Sequence, residues 1–305
     1  MQKARAPRRK VDGILLLDKP LGLSSNTALQ IVRRLYNADK AGHTGSLDPL
    51  ATGLLPVCLG EATKLCGYLL DADKRYRARV RLGARTSTGD AEGEVVATSD
   101  PAALSRAALE AALPRFLGEI SQIPPMYSAL KRDGEPLYRL ARAGIEVERA
   151  PRLVRISELR LLQWSGSEFE FEVACSKGTY VRTLAEDLAG AVGQQAHLAA
   201  LRRTGLEPFD AGAMVGLEHL EQLAGEAERD PLLLSPAAAV RGWPRLEVDA
   251  ELARRLAHGQ AIRAGEGTGL RAVFGPEGRL LGIAEADGAG ILAPRRWLNE
   301  GPGAP

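Results

Sequence analysis

"AGHTGSLDPLATGLLP", residues 41–56, decides how the rest of the chain is read. It sets three glycines, two prolines, His43 and Asp48 inside an otherwise apolar run. A residue before proline is pushed out of the helical region, so Asp48, ahead of Pro49, is expected extended at a loop end. Gly42, Gly45 and Gly53 let the backbone turn tightly and approach another group closely. Such a loop either fixes a carboxylate in a cleft or lets Asp48 cap its own backbone in an Asx-turn. No second histidine or carboxylate stands at ligand spacing from His43, so no metal site is expected, and no Walker or dinucleotide glycine pattern occurs.

Working outward, "VDGILLLDKP" reads as a strand ending in a turn. "SSNTALQIVRRLY" reads as a helix capped by Ser24, Ser25 or Asn26, with Ala28, Ile31, Val32 and Leu35 as its apolar stripe. "KRYRARVRLGART" alternates cleanly, with Arg75, Arg77, Arg79 and Arg81 on one strand face and Tyr76, Ala78, Val80 and Leu82 on the other. "EFEFEVACSKG" is a second half-exposed strand, and "TYVRTLAEDLAGAVG" a helix opening near Thr179. The spacing of Leu198 and Leu201 in "QQAHLAALRRTG" predicts another helix. Residues 122–151 form a Pro-, Gly- and base-rich segment around one short helix. From about residue 246, three short strands separated by "GPEG" and "DGAG" predict a small β-barrel or meander.

The 305 residues suffice for one large domain and a smaller one. No apolar run approaches a membrane span, and no apolar segment follows the basic N-terminus. Cys58, Cys66 and Cys175 make no C-x-x-C pair and are an odd number, the usage expected of reduced thiols in a cytoplasmic protein. The net charge of +2 hides an asymmetry. Residues 1–85 carry 16 lysines and arginines against 7 acidic residues, whereas residues 86–230 carry 15 against 23. A basic segment on a balanced chain suggests a polyanionic partner.

"GHTGSLDPLATGLLP" resembles the catalytic motif of the TruB family, the transfer RNA pseudouridine synthases acting on uridine 55 of the T loop. "GILLLDKPLGLSSN", "DKRYRARVRLGARTSTGDAEGEV", "QIPPMYSALKRDGEPLYRLAR", "CSKGTYVRTLAEDL" and "AHLAALRRTGLEPF" resemble further family motifs, so the likeness runs over residues 11–210. It implies an α+β pseudouridine synthase fold: a large mixed or antiparallel sheet flanked by helices, with a PUA-like barrel after it. The implied organisation is a basic tail at 1–10, a catalytic domain at 11–245 with an RNA-gripping insertion at 122–151, and the barrel at 246–305.

By the same resemblance Asp48 is the nucleophile, Arg182 its charge partner, and Tyr76 the platform for the target uracil and a candidate for assisting loss of the C5 proton. A carboxylate suits this role because it is ionised at neutral pH, with an ordinary pKa of about 3.9. Tyr180 is implied as a second aromatic wall, Leu201 as an apolar lid, and Lys19 as a lysine packed near the loop. His43 is expected to enter the space left by the extruded base. Candidate phosphate contacts are the arginine face (Arg75, Arg77, Arg79 and Arg81) and Lys131, Arg132, Arg139 and Arg142 in the insertion. The reaction moves uracil from an N- to a C-glycosidic link without redox change, so no cofactor and no metal are expected. The expected partner is transfer RNA, with no obligatory protein partner and a monomer as the default. Three rivals remain: a non-catalytic RNA-binding module, a guide-RNA-dependent relative needing partner proteins, and an N-glycosidase that uses Asp48 but releases the base.

Overall fold

A computed structural model describes residues 7–102, 104–263 and 267–299. Six residues of the expected basic tail, 1–6, lie outside that set. The chain packs as two compact units, one of residues 1–47, 54–70 and 208–305, the other of residues 48–53 and 71–207.

The first unit opens with β1 (Gly13–Lys19), whose residues are almost all buried, followed by α1 (Ser25–Leu35). Ser24 is the N-cap and accepts a hydrogen bond from the Thr27 backbone N–H, while Ala28, Leu29 and Val32 are buried. β2 (Ala41–His43) pairs antiparallel with the far end of β3 (Ala51–Leu59), and β1 pairs parallel with Val215–Gly216. Arg9 is no solvated tail residue. Its Nη1 donates to Asp230 Oδ2 at 2.9 Å, and its Nε lies 3.2 Å from Glu226.

The second unit is built on β4 (Lys74–Leu82), β5 (Gly118–Gln122), β6 (Arg152–Trp164), β7 (Glu168–Cys175), α2 (Val181–Gly190) and β8 (Ala196–Leu206). Its strand order is β8-β4-β7-β6-β5, all antiparallel, and the first residues of β3 join β8 in parallel. β4 alternates buried and exposed residues without a break, as its sequence requires. Its arginines are not a bare cationic face. Arg75 donates to Glu158 at 2.8 Å, Arg77 to Glu170 at 2.9 Å and Arg81 to Glu168 at 2.9 Å.

The helix expected over "QQAHLAALRRTG" is wrong: Ala196–Leu206 is the strand β8. Leucine, alanine and arginine favour helices, but position between two strands overrides that preference. Irregularities between Leu198 and Ala200 and between Arg203 and Gly205 break the two-residue alternation that marks a strand in sequence.

The C-terminal part of the first unit holds β9 (Arg245–Glu247), α3 (Ala250–Ala257), β10 (Ile262–Arg263), β11 (Thr268–Phe274), β12 (Leu280–Asp287) and β13 (Ile291–Trp297). The strands form one five-stranded sheet in the order β9-β11-β12-β13-β10, over a core that includes Val248, Leu256, Val273 and Leu292. The three closely spaced strands read from the sequence are β11, β12 and β13.

Candidate active site

The loop that carries Asp48 is pinned one residue earlier. Ser25, the first residue of α1, is buried. Its Oγ accepts from the Leu47 N–H at 2.7 Å and donates to the Leu47 carbonyl at 3.1 Å. On the far side the Ala51 N–H closes a turn onto the Asp48 carbonyl at 3.0 Å. Gly53 then takes φ +97° directly against β8, where a Cβ would fall 2.3 Å from the Arg203 carbonyl oxygen. Only glycine fits there. The loop backbone is thus fixed at Leu47, Asp48 and Gly53, and Ser25, which the sequence offers only as one possible N-cap, contributes to that hold.

The Asp48 carboxylate is 49% exposed and meets the Arg182 guanidinium, with Oδ2 3.0 Å from Nη2. Arg182 is 7% exposed and sits in the first turn of α2. Its Nη2 also donates to the Tyr127 carbonyl at 2.7 Å, and its Nη1 to the Thr88 carbonyl at 2.8 Å. Nη1 lies 3.4 Å from Asp90, whose side chain is 5% exposed. Asp90 is in turn fixed through Oδ1, which accepts from the Thr88 hydroxyl at 2.6 Å and from the Glu92 N–H at 3.1 Å. A guanidinium is a rigid donor fork, and here four acceptors set its direction. Asp90 lies within the quoted "STGDAEG", yet nothing in its spacing marked it as a partner of Arg182.

Asp48 and Arg182 line a cleft of about 700 Å³ together with Thr88, Asp90, Tyr127, Tyr138 and Arg142. Arg142 lies over the Tyr138 ring, 5.7 Å from its centroid. The structure therefore brings three expected residues, Asp48, Arg182 and Arg142, to one cavity. Tyr76 is buried on β4, directly across from Arg203 on β8. Burial pushes its phenol pKa up. Arg203 opposes that through its charge and a hydrogen bond, while Cys175 and Asp48 add to the rise.

Leu201 is half-buried on β8 and is the cross-strand partner of both Ala51 and Ala78. It stands between the strand that follows Asp48 and the strand that carries Tyr76. Tyr180 is the N-cap residue of α2. Its N–H donates to Gln122 at 3.0 Å, and Arg152 stacks on its ring at 4.6 Å. In the insertion, Lys131 and Arg132 form a two-residue strand against Glu135–Pro136, Arg132 donates to the Glu148 carbonyl at 2.7 Å, and Arg139 lies 3.5 Å from Glu135. Arg75 is held by Glu158.

His43 and Lys19 belong to the first unit. His43 is half-buried on β2 opposite Val57. Lys19 is wholly buried, and its ammonium donates to the carbonyls of Pro20 at 2.9 Å and Leu23 at 2.6 Å, holding the turn into α1. Among the described residues no cluster of three or more His, Cys, Asp or Glu is arranged to hold a metal, and Cys58, Cys66 and Cys175 are free thiols.

Three family models match in succession: "TruB family pseudouridylate synthase (N terminal domain)" over residues 33–181, "tRNA pseudouridylate synthase B C-terminal domain" over 182–238, and "Pseudouridine synthase II TruB, C-terminal" over 244–298. The chain is 54% identical over 304 residues to tRNA pseudouridine synthase B of Stutzerimonas stutzeri, covering 98% of this chain and 99% of that protein. It is 51% identical to the protein of the same name from Methylobacillus flagellatus, covering 96% and 97%. Among solved structures, one described as a Cbf5-Nop10-Gar1 complex superposes with a TM-score of 0.70 at 26% identity, covering 90% of this chain and 78% of that one. These matches leave no part of the described fold outside the likeness, and the chain belongs to the TruB family of pseudouridylate synthases.

Proposed function

We propose that the protein isomerises uridine 55 in the T loop of transfer RNA to pseudouridine, with Asp48 as nucleophile. The observation that carries this reading is the ion pair between a half-exposed Asp48 and a buried Arg182, itself held by three further acceptors, at the wall of a cleft. A carboxylate held this way is a nucleophile with one geometry, already placed before substrate arrives. The relatives at 51–54% identity are named for tRNA, which supports transfer RNA as the substrate.

The target base is extruded from the folded loop at a cost of a few kcal/mol and reaches the carboxylate in the cleft. Asp48 forms the covalent link that lets the bond between uracil N1 and the ribose break and uracil rejoin the same ribose carbon through C5. Arg182 keeps the carboxylate in place, and Tyr76 assists departure of the C5 proton. His43 fills the vacated position, while Tyr180 and Leu201 wall the base. The insertion at 122–151 grips the RNA backbone, with Arg142 the member already at the cleft. Residues 11–245 form the catalytic domain and 246–305 an auxiliary barrel. The protein acts alone, as a monomer in a reducing, cytoplasmic setting that suits its three free thiols.

The test uses purified protein, without added metal or nucleotide, on a T-loop hairpin tritiated at C5. The reading predicts tritium release, unchanged RNA mass and a single modified position. Loss of a uracil mass would mean an N-glycosidase. Binding without release would mean an RNA-binding module. Release only on addition of a guide RNA and partner proteins would mean a guided enzyme.

A further inference from the structure

Arg203 is the largest fully buried side chain in the described structure, 1% exposed, in the middle of β8. A guanidinium taken out of water costs several kcal/mol unless it is paired and hydrogen-bonded, so its place needs a reason. Strand register supplies one. Arg203 is the cross-strand partner of Tyr76 on one side and of Gly53 on the other. The strand that carries Tyr76 and the one that continues the Asp48 loop therefore meet on this residue. Gly53 is a glycine because the backbone of Arg203 occupies the place of its side chain.

We infer that Arg203 is a positioning residue for Tyr76, whose phenolic oxygen it holds by a donated hydrogen bond and whose deprotonated form it stabilises during loss of the C5 proton. The inference rests on the reading above, in which Tyr76 assists that step. Arginine has donors and no acceptor, so the phenolic oxygen accepts in the Arg203–Tyr76 bond. The hydroxyl proton must then point to some other acceptor, which gives the Tyr76 hydroxyl one direction.

The groups that act electrostatically on the phenol are Arg203 from β8, Cys175 from β7 and Asp48 from its loop. The Asp48 carboxylate opposes deprotonation of the phenol and Arg203 favours it. Burial of the phenol is the larger obstacle to ionisation and persists throughout, but once Asp48 is esterified to substrate its negative charge is gone and one opposing contribution is removed, so the guanidinium favours the phenolate more at the stage when a base is needed. The proton balance closes on the residue. The hydroxyl proton passes to water, the C5 proton passes to the phenolate oxygen, the freed N1 takes a proton from water, and Tyr76 ends as the phenol it began as.

The test is a double-mutant cycle with Tyr76→Phe, Arg203→Met and both together, with Arg203→Lys as the conservative variant. The rate of tritium release at saturating hairpin is followed from about pH 6 to about pH 10, beside hairpin Kd and Tm. Arg203→Met is expected to lose about 100-fold in kcat, the scale of one acid–base contribution, with Kd within about twofold. Its residual rate should keep rising to higher pH than that of the unaltered protein. Arg203→Lys, which keeps the charge, should recover at least tenfold of the loss, roughly half of that contribution on a logarithmic scale. In the Tyr76→Phe background, Arg203→Met should cost nothing further.

If Arg203→Met does not fold, Arg203→Lys carries the cycle, and its smaller loss must likewise vanish in the Tyr76→Phe background. Losses that add in the cycle, or an unshifted pH profile, overturn the inference while leaving Tyr76 its role. Full release by Tyr76→Phe overturns the role of Tyr76 and this inference with it.

Discussion

Arg182 Nη2 lies 3.0 Å from Asp48 Oδ2, in a pair whose cation is 7% exposed and whose anion is 49% exposed. The asymmetry has a direct physical meaning. Arg182 is anchored from behind by Thr88, Tyr127 and Asp90, so the guanidinium is fixed whether or not Asp48 is present. Asp48 is held by that fixed charge yet its carboxylate stays half-exposed, which is what the proposed role of nucleophile requires.

Asp90→Asn should therefore be more damaging to stability than Asp48→Asn. Removing the charge of Asp90 leaves a buried guanidinium short of a partner, a loss of about 1–3 kcal/mol. Removing that of Asp48 affects a half-exposed pair and should cost at most about 1 kcal/mol. Denaturant unfolding of both variants measures the difference, and equal losses would mean that Asp90 does not anchor Arg182.

Gly53→Ala should destabilise the protein by about 1–3 kcal/mol and slow tritium release. Alanine would be strained at φ +97°, and its Cβ would meet the Arg203 carbonyl oxygen at 2.3 Å. Unaltered Tm and rate would show that the loop has room to shift.

The two sets of arginines should behave differently toward RNA. Arg142 lines the cleft, so Arg142→Ala should weaken hairpin binding and lower the salt slope by about 1. Arg75 is already paired with Glu158, so Arg75→Ala should leave Kd within about twofold of its starting value. Salt titrations of binding separate the two, and the reverse order would move the RNA path onto the β4 face.

Lys74 gives stability a pH dependence. Burial and the nearby charge of Arg203 pull its ammonium down to about 8 from an ordinary 10.5. Between those values the folded protein binds fewer protons than the unfolded chain, so the contribution of Lys74 to stability rises with pH through that window. Below about 8 the cost of the buried charge is present in full. The stability of the natural protein relative to Lys74→Met should thus increase by about 2 kcal/mol from pH 7 to pH 10. A constant difference would contradict the lowered value.

Much of this was legible in the residues, for reasons that differ from place to place. β4 announces itself because alternation at two-residue spacing matches a sheet with one solvated face. Asp48 was visible because proline and glycine mark the backbone around it. The resemblance reached Arg182 but not what fixes it: two backbone carbonyls and Asp90 come from segments far away in sequence, and no local spacing encodes them. β8 reads as a helix in sequence because bulges break its alternation and its composition favours one. On such a helix Arg203 looks like a solvated arginine, and only the strand buries it. The arginine face is legible as exposed, while its glutamate partners on β6 and β7 emerge only from the folded sheet.

The central claim is that the Asp48 carboxylate performs the chemistry. The most direct measurement is tritium release by Asp48→Asn on a C5-labelled T-loop hairpin, at a hairpin concentration shown by binding to saturate the variant. Retained binding and no release above the protein-free control are expected. Release at the rate of the natural protein would contradict that claim.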